Sequence, residues 1–215
     1  MTDWTTTGAE LATAVGTLVL GAATFASVRS ANRAARTAER SLLEGLRPLL
    51  VSSRLQDPPE KVSFADQHWV RVDGGHGTVE VTDEVIYLTM ALRNIGRGMA
   101  VLHGWLVGRD PTSSARPDHR PIDDFRRLTR DLYIPPGDLG FWQGALRDPT
   151  EPIFAEVQEI AKADEMFSIE LLYGDQDGGQ RAITRFALLP HDVDGQQVWM
   201  ATVSRHWHLD RRAPR

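Results

Sequence analysis

The fold is decided by residues 85–107, VIYLTMALRNIGRGMAVLHGWLV, which hold two apolar runs on either side of a turn with two glycines. The first run, Val85 to Leu92, is rich in β-branched, aromatic and long aliphatic side chains, as buried strands are. The second run, Met99 to Val107, places alternate residues on one face, namely Val101, His103, Trp105 and Val107. Both runs therefore predict β-strands.

The turn between these strands contains Gly96-Arg97-Gly98, a Gly-x-Gly pattern that also occurs in phosphate-binding loops. A nucleotide loop leads into a helix whose N-terminus faces the phosphate. Here the following segment has strand character, so a turn or bulge that requires positive φ accounts better for the glycines. The pattern is therefore interpreted as structural.

Strand-type runs separated by turn residues recur along the chain after Pro48. Thr150 is the predicted N-cap of one amphipathic helix that ends near Asp164. This pattern predicts a mainly β fold class, an antiparallel, immunoglobulin-like β-sandwich with one amphipathic helix, preceded by an N-terminal transmembrane and juxtamembrane helix. Five tryptophans are assigned to the core or edges of the sandwich: Trp69, Trp105, Trp142, Trp199 and Trp207.

The N-terminal segment from Leu11 to Val28 contains 18 consecutive residues without a charge. As a helix it would extend roughly 27 Å, close to the ~30 Å hydrocarbon core of a bilayer. A cleaved signal peptide would carry positive charge before the apolar stretch, whereas residues 1–10 hold only Asp3 and Glu10 as charged side chains. A buried core helix is the other alternative, although such helices are seldom apolar on all sides. We interpret the segment as a membrane span.

Charge asymmetry predicts the orientation of this span. No Lys or Arg precedes it, and five arginines follow it within twenty residues, namely Arg29, Arg33, Arg36, Arg40 and Arg47. By the positive-inside rule the C-terminal side faces the cytoplasm. Of the 24 basic residues only Lys61 and Lys162 are lysine, an imbalance typical of a GC-rich bacterial genome. The predicted location is the bacterial inner membrane, with a single span and a cytoplasmic C-terminal domain.

The segment after the span predicts a juxtamembrane helix that ends before Pro48. Membrane lipid is its predicted partner, because four arginines recur on one face and attract anionic headgroups: Arg29, Arg33, Arg36 and Arg40. The alternative is a solvated face that only sets the topology. The predicted domains are residues 1–28 as the anchor, 29–47 as the juxtamembrane helix and 48–215 as the β-sandwich.

A second face of the same helix is a heptad seam of small and apolar residues, formed by Val28, Ala31, Ala35, Ala38 and Leu42. Small residues also recur four apart inside the span, as Ala12 with Gly16 and Thr17 with Gly21, a spacing that supports helix association in lipid. A homo-oligomer through the span and this seam is one interpretation. Packing of the seam on the protein's own β-domain is another.

Four short motifs carry a resemblance to a known group of proteins. They are Arg47-Pro48-Leu49, Leu92 to Ala100, Leu132 to Asp138, and Leu172-Tyr173-Gly174-Asp175 with Gly178 or Gly179. In this order, after a single span and an Arg/Ala-rich helix, the chain resembles uncharacterised bacterial, often actinobacterial, single-pass membrane proteins with an immunoglobulin-like β-sandwich. The resemblance covers most of the chain and implies an architecture but no activity.

Composition excludes several classes of function. The net charge of −5 and the pI near 5.8 argue against a nucleic-acid binder. The absence of cysteine excludes disulfides, thiol catalysis and Cys-ligated zinc. No catalytic residue and no cofactor is predicted. The predicted function is a membrane-anchored, non-enzymatic protein-interaction module at the inner leaflet, with another protein or assembly as its partner.

One alternative function rests on His206 and His208, which lie two residues apart and so on the same face of a strand. Two imidazoles at this spacing are weak candidates for metal ligands, with His191, Asp192 or Asp194 nearby in sequence. This alternative is a metal- or ligand-binding sensor or hydrolase. Histidine pairs of this kind also occur on the solvent face of strands, and no third ligand is fixed by spacing.

Overall fold

A computed structural model of the chain describes residues 4–109, 118–193 and 195–210. The chain divides into two compact units, residues 1–45 and residues 46–215, and each is described by itself. Residues 110–130 are a polar stretch with three prolines, which the sequence predicts as a long connection, and residues 110–117 of it lie outside the described residues.

The first unit is one uninterrupted α-helix, α1 (Trp4–Gly45), of 42 residues. Predominantly helix-forming residues and the lack of proline allow the apolar and the Arg/Ala-rich segments to continue as one helix. Residues Ala14–Glu39 have a mean hydropathy of 1.3, and none of that stretch is buried. By length and composition this helix is long and apolar enough to cross a membrane.

The continuity of α1 extends the predicted heptad seam toward the N-terminus. Steps of three and four residues continue the seam from Val28 toward the N-terminus through Thr24, Gly21, Thr17 and Ala14. At about 100° per residue, the centre of the arginine stripe lies roughly 140° around the helix from the centre of the seam. The seam and the stripe therefore occupy opposite sides of one helix.

The second unit, which we call the β-domain, contains eleven strands and one further α-helix among its described residues. The strands are β1 (Leu50–Ser52), β2 (Glu60–Ser63), β3 (Trp69–Val72), β4 (His76–Val81), β5 (Ile86–Asn94), β6 (Ala100–Arg109), β7 (Arg126–Ile134), β8 (Leu139–Leu146), β9 (Phe167–Gly174), β10 (Ala182–Val193) and β11 (Gln196–His208). The helix is α2 (Pro152–Ala163), and a 3₁₀ turn spans Ile122–Asp124.

Nine of the described strands form one antiparallel sheet that folds back on itself. Strand β5 pairs with β8 on one edge and with β4 and β1 on the other. The path continues from β4 to β11, β10, β9, β6 and β7. Side chains from both halves, such as Leu88 and Ile169, share one core, and this confirms the predicted β-sandwich.

Helix α2 closes part of this core with a buried face of Phe154, Val157 and Ile160. Pro152 lies at its start, and the helix ends at Asp164 in the left-handed conformation, with φ of 53°. The helix and its C-terminus are as predicted, but the residue before it is Glu151 and not the expected Thr150, whose side chain instead bonds Asp148. The predicted amphipathic helix is therefore confirmed.

Strands β2 and β3 form a separate hairpin over the outer face of the sheet. Val62, Val70 and Val72 on its inner face pack with Tyr87 and Ala91 of β5. From the sequence, residues 56–66 are a polar, proline-containing stretch, and the runs 69–72 and 78–81 predict a hairpin across a glycine-rich turn. In the structure β2 lies within that stretch, and β3 pairs with β2 instead of β4. The reason is tertiary: three valines on one face of the hairpin cover the apolar outer face of β5.

Candidate functional site

The four motifs quoted above meet at one end of the sandwich, around the first residues of the β-domain. We call residues 46–50 the leading segment. Asn94, at the end of β5, is fully buried, and its Oδ1 accepts hydrogen bonds from the backbone N–H groups of Leu49 (3.1 Å) and Gly96 (3.0 Å). Its Nδ2 donates to the carbonyl oxygens of Gly98 (2.7 Å) and Ile134 (3.0 Å). One side chain thus joins three of the four motifs.

The fourth motif lies in the other layer of the sandwich, opposite β5, and also forms hydrogen bonds with the leading segment. The Tyr173 hydroxyl on β9 accepts a hydrogen bond from the Leu50 N–H at 3.1 Å. The Arg47 Nε donates to Gln180 Oε1 at 2.8 Å. Gln180 is itself held by Asp175, whose Oδ1 accepts the backbone N–H groups of Gly179 and Gln180. The turn after β9 therefore supports the leading segment directly.

The glycines of the Gly-x-Gly turn are required by close approach to the same segment. A Cβ at Gly98 would overlap the carbonyl oxygen of Leu46, and one at Gly96 would overlap that of Arg47. The turn also contributes backbone hydrogen bonds, from Ile95 N–H to the Leu49 oxygen and from Arg97 N–H to the Arg47 oxygen. The structural role of these glycines is confirmed, but its expected cause is wrong: neither Gly96 nor Gly98 has positive φ, and the glycines are needed because another stretch of backbone lies against them.

We call this arrangement the clamp, defined by Asn94, Tyr173, Gln180, Gly96 and Gly98. In the clamp, backbone N–H and carbonyl groups of the leading segment form hydrogen bonds with protein groups instead of with water. Burial raises the pKa of the Tyr173 hydroxyl to about 12, so the phenol stays protonated across the physiological range. The clamp fixes the point at which the chain enters the β-domain.

His206 and His208 lie behind the clamp, on the inner face of β11. The His206 Nδ1 shares a hydrogen bond with the Thr184 hydroxyl at 2.8 Å, and Thr184 shares one with the Tyr173 hydroxyl at 2.9 Å. The two imidazole rings are 4.5 Å apart, centroid to centroid. His206 is therefore connected to Leu50 N–H through two buried hydroxyl groups.

The surroundings of the two histidines disfavour a cation. Thr184 occupies the Nδ1 of His206, and the positive charge of Arg47 acts on both rings. Among the described residues, no group of three or more His, Cys, Asp or Glu side chains could hold a metal ion. Nothing in this geometry favours the metal-dependent alternative function.

Protonation of His206 is disfavoured first by burial and then by the charges of His208 and Arg47, which lower its pKa from 6.5 to about 4. A lowered folded-state pKa means that neutral His206 contributes stability above pH 6.5, and that this contribution is lost as the pH falls toward 4. Discounted for the partial exposure of the ring, the loss between pH 7.5 and 4.5 is about 2 kcal/mol.

From pH 7.5 to pH 4.5, the unfolding free energy of His206→Gln should therefore fall by about 2 kcal/mol less than that of the unmodified chain. Chemical unfolding of the detergent-solubilised protein at both pH values measures the difference. The exposed His191 supplies the matched control, His191→Gln, which should follow the unmodified chain. Identical pH dependence of all three proteins would show that folding does not shift the pKa of His206.

The predicted lipid contacts lie in the first unit. Arg29, Arg33 and Arg36 are exposed on α1, while the side chain of Arg40 lies outside the described residues. Phe25 and Val28 lie beside Arg29 and Arg33 along the helix, with Phe25 68% exposed. The stripe is thus accessible along one side of the helix.

One buried charge pair was not predicted from the sequence. Glu170 on β9 accepts two hydrogen bonds from Arg185 on β10, at 2.7 and 3.0 Å, and both side chains are at most 3% exposed. The Arg185 guanidinium also lies over the ring of Trp207, 5.0 Å from its centroid. The sequence feature that could have indicated this pair is the single carboxylate inside the apolar run Phe167 to Tyr173, because a buried charge requires a partner.

Comparisons with known proteins give little beyond this geometry. No family model matches the chain, and no curated protein matches it. Among solved structures it is similar to a protein from Archaeoglobus fulgidus, at 14% identity over 64% of this chain and 95% of that one, with a TM-score of 0.24. A likeness at this level carries no functional argument.

Proposed function

We propose that this protein is a single-pass membrane protein whose β-domain lies at the cytoplasmic face of the bacterial inner membrane and binds another protein there. The observation that carries the proposal is the exposure of α1. Large apolar side chains of this helix are more than half exposed in its own unit, namely Val15, Leu18, Val19, Leu20 and Phe25. Such a surface is unfavourable in water and favourable in a bilayer.

The orientation in this proposal rests on charge. The arginine stripe follows the apolar stretch, and no basic residue precedes it, so the positive-inside rule places the β-domain in the cytoplasm. The stripe then lies on the side of the membrane where anionic headgroups attract it.

A protein partner is favoured by an open groove in the β-domain. It has a volume of about 780 Å³ and lies where β4 and β11 diverge after their short contact at Gly77 and Trp199. Leu55 is 63% exposed and Val193 is 44% exposed, and both line this groove. Exposed apolar surface beside unpaired strand edges is typical of protein-binding sites.

The proposal includes pairing of two copies along the seam of α1. The seam carries small and apolar residues from Ala14 to Gly45, while the arginines lie on the opposite side. Two helices in contact through the seam would therefore keep their cationic sides apart and facing lipid or water.

Replacing Arg29, Arg33 and Arg36 by glutamine should cause mixed topology or poor insertion. The change removes three of the five arginines that produce the charge bias, and about 3 kcal/mol of attraction to anionic lipid at low salt. A reporter that is active only outside the cytoplasm, fused after Arg215, measures the result. It should be silent in the unmodified protein and active in a fraction of the variant molecules.

The matched control replaces three exposed arginines of the β-domain, Arg54, Arg97 and Arg127, and should leave the reporter silent. A reporter that is active in the unmodified protein would refute the cytoplasmic assignment. Normal topology in the α1 variant would instead show that these three arginines do not determine the orientation.

A further inference from the structure

The outer face of the β2–β3 hairpin carries an exposed tryptophan between cationic side chains. The regular register of the hairpin sets Lys61 opposite Arg71 and Ser63 opposite Trp69. Side chains that are directly opposite in an antiparallel pair lie on the same face of the sheet. These four residues form what we call the hairpin face, and the valines of β2 and β3 occupy the other side.

Trp69 does not behave as the core or edge aromatic that the sequence predicts. It is 65% exposed, whereas Trp105, Trp142 and Trp199 are buried in the sandwich core. Among the described residues, no aromatic ring or cation contacts its indole. The alternation of β3 explains the difference, because Val70 and Val72 take the inner positions and leave Trp69 outside.

The charges of the hairpin face need an anionic partner. Two cationic side chains directly opposite each other repel. Arg71 reaches Asp73 at 3.0 Å, in a pair whose members are both more than half exposed and thus weakly coupled. Lys61 has no ion pair in the described part of the chain. From residue 46 onward the sequence holds 25 acidic against 20 basic residues, so this face is a basic exception on an acidic domain.

We propose that the hairpin face contacts the anionic lipid surface of the membrane that α1 spans, a proposal that rests on the membrane anchoring above. An indole is favourable at the headgroup level, and Lys and Arg beside it are attracted to anionic lipid. A regular two-stranded face presents all three groups side by side without a pocket. An acidic protein partner could match the charges, but an exposed tryptophan at a protein interface normally fills a pocket of the partner.

The contact can be measured by the fluorescence of Trp69 in the full-length protein reconstituted into vesicles. The difference between the unmodified chain and Trp69→Phe isolates the emission of this residue. Since Trp69 is mostly exposed, Trp69→Phe should unfold at the same temperature as the unmodified protein. The vesicles contain either neutral lipid alone or about one-third anionic lipid, each prepared with and without brominated acyl chains as quenchers.

We expect brominated lipid to remove about half of the Trp69 emission in anionic vesicles and almost none in neutral ones. The quenching should fall as salt rises past physiological strength. It should also fall in the double variant Lys61→Gln, Arg71→Gln. The matched double variant Lys162→Gln, Arg127→Gln, which removes two exposed cations elsewhere on the β-domain, should retain it.

Unquenched Trp69 in anionic vesicles would overturn the proposal, as would quenching that is equal in neutral and anionic vesicles. Flotation of the same samples after alkaline extraction reports separately on α1. Protein that floats without Trp69 quenching refutes the lipid contact of the hairpin but retains the anchor. Protein that neither floats nor shows quenching refutes both. Quenching that appears only after an acidic protein is added would also overturn the lipid assignment.

Discussion

Glu170→Ala should lower the free energy of unfolding of the β-domain by about 3–5 kcal/mol, because it leaves Arg185 buried without its counter-charge. Arg185 is 3% exposed and makes both of its short hydrogen bonds to this one carboxylate. The backbone N–H of Arg120 also points to Glu170, at 3.5 Å. Chemical unfolding of the detergent-solubilised chain, followed by tryptophan fluorescence, measures the loss.

A double variant separates the buried charge from the packing of the side chains. Glu170→Leu with Arg185→Met removes both charges at similar volume, and we expect it to retain most of the stability that Glu170→Ala loses. If the double variant were as unstable as Glu170→Ala, lost packing and not the unpaired charge would account for the effect.

Asn94→Ala should lower the unfolding free energy by about 4 kcal/mol, since it leaves two backbone N–H and two carbonyl groups of the clamp without partners. Besides global unfolding, hydrogen exchange at the Leu49 amide should become faster, because Asn94 Oδ1 is its acceptor.

The sequence supplies its own control, because Asn32 is the only other asparagine. It is exposed on α1, and Asn32→Ala should change stability by less than about 0.5 kcal/mol. Unchanged exchange at Leu49 in Asn94→Ala would contradict the role of Asn94 in holding the leading segment.

Local patterns predicted the elements well where burial is uniform. Val85 to Leu92 is apolar apart from Thr89 and the Tyr87 hydroxyl because β5 packs on both faces, against the core on one side and the hairpin on the other. The amphipathic period from Ile153 to Ile160 likewise marks α2, which buries one side only. In both cases the pattern reports directly on the environment of the element.

Pairing and partner choice could not be predicted in the same way. Strand β2 contains Glu60, Lys61 and Ser63, so only Val62 indicates burial, and its pairing with β3 depends on the valines of that strand. The clamp joins residues separated by up to 133 positions, as Arg47 and Gln180 are. Turn motifs indicate where the chain bends, but they contain no information on which backbone lies against them.

The prediction for Trp69 failed for a related reason. A tryptophan in a strand is usually assigned to a core, but one position along β3 decides between the inner and the outer face. Val70 and Val72 fix that alternation, and an analysis of the strand as a whole would have placed Trp69 outside.

The position of β11 has a consequence for synthesis on the ribosome. Among the described residues this is the last strand, and it lies inside the sheet, between β4 and β10. Its His206 shares a hydrogen bond with the Thr184 hydroxyl, which in turn contacts Tyr173 of the clamp. While β11 is still within the exit tunnel, β4 and β10 each have an open edge, and the sheet cannot close. The apolar helix α1 precedes the β-domain in the chain and leaves the ribosome before it. In the membrane-anchored protein proposed above, α1 is therefore available for insertion before the β-domain can fold, and a chain that ends before Gln196 would leave the edges of β4 and β10 that face β11 unpaired.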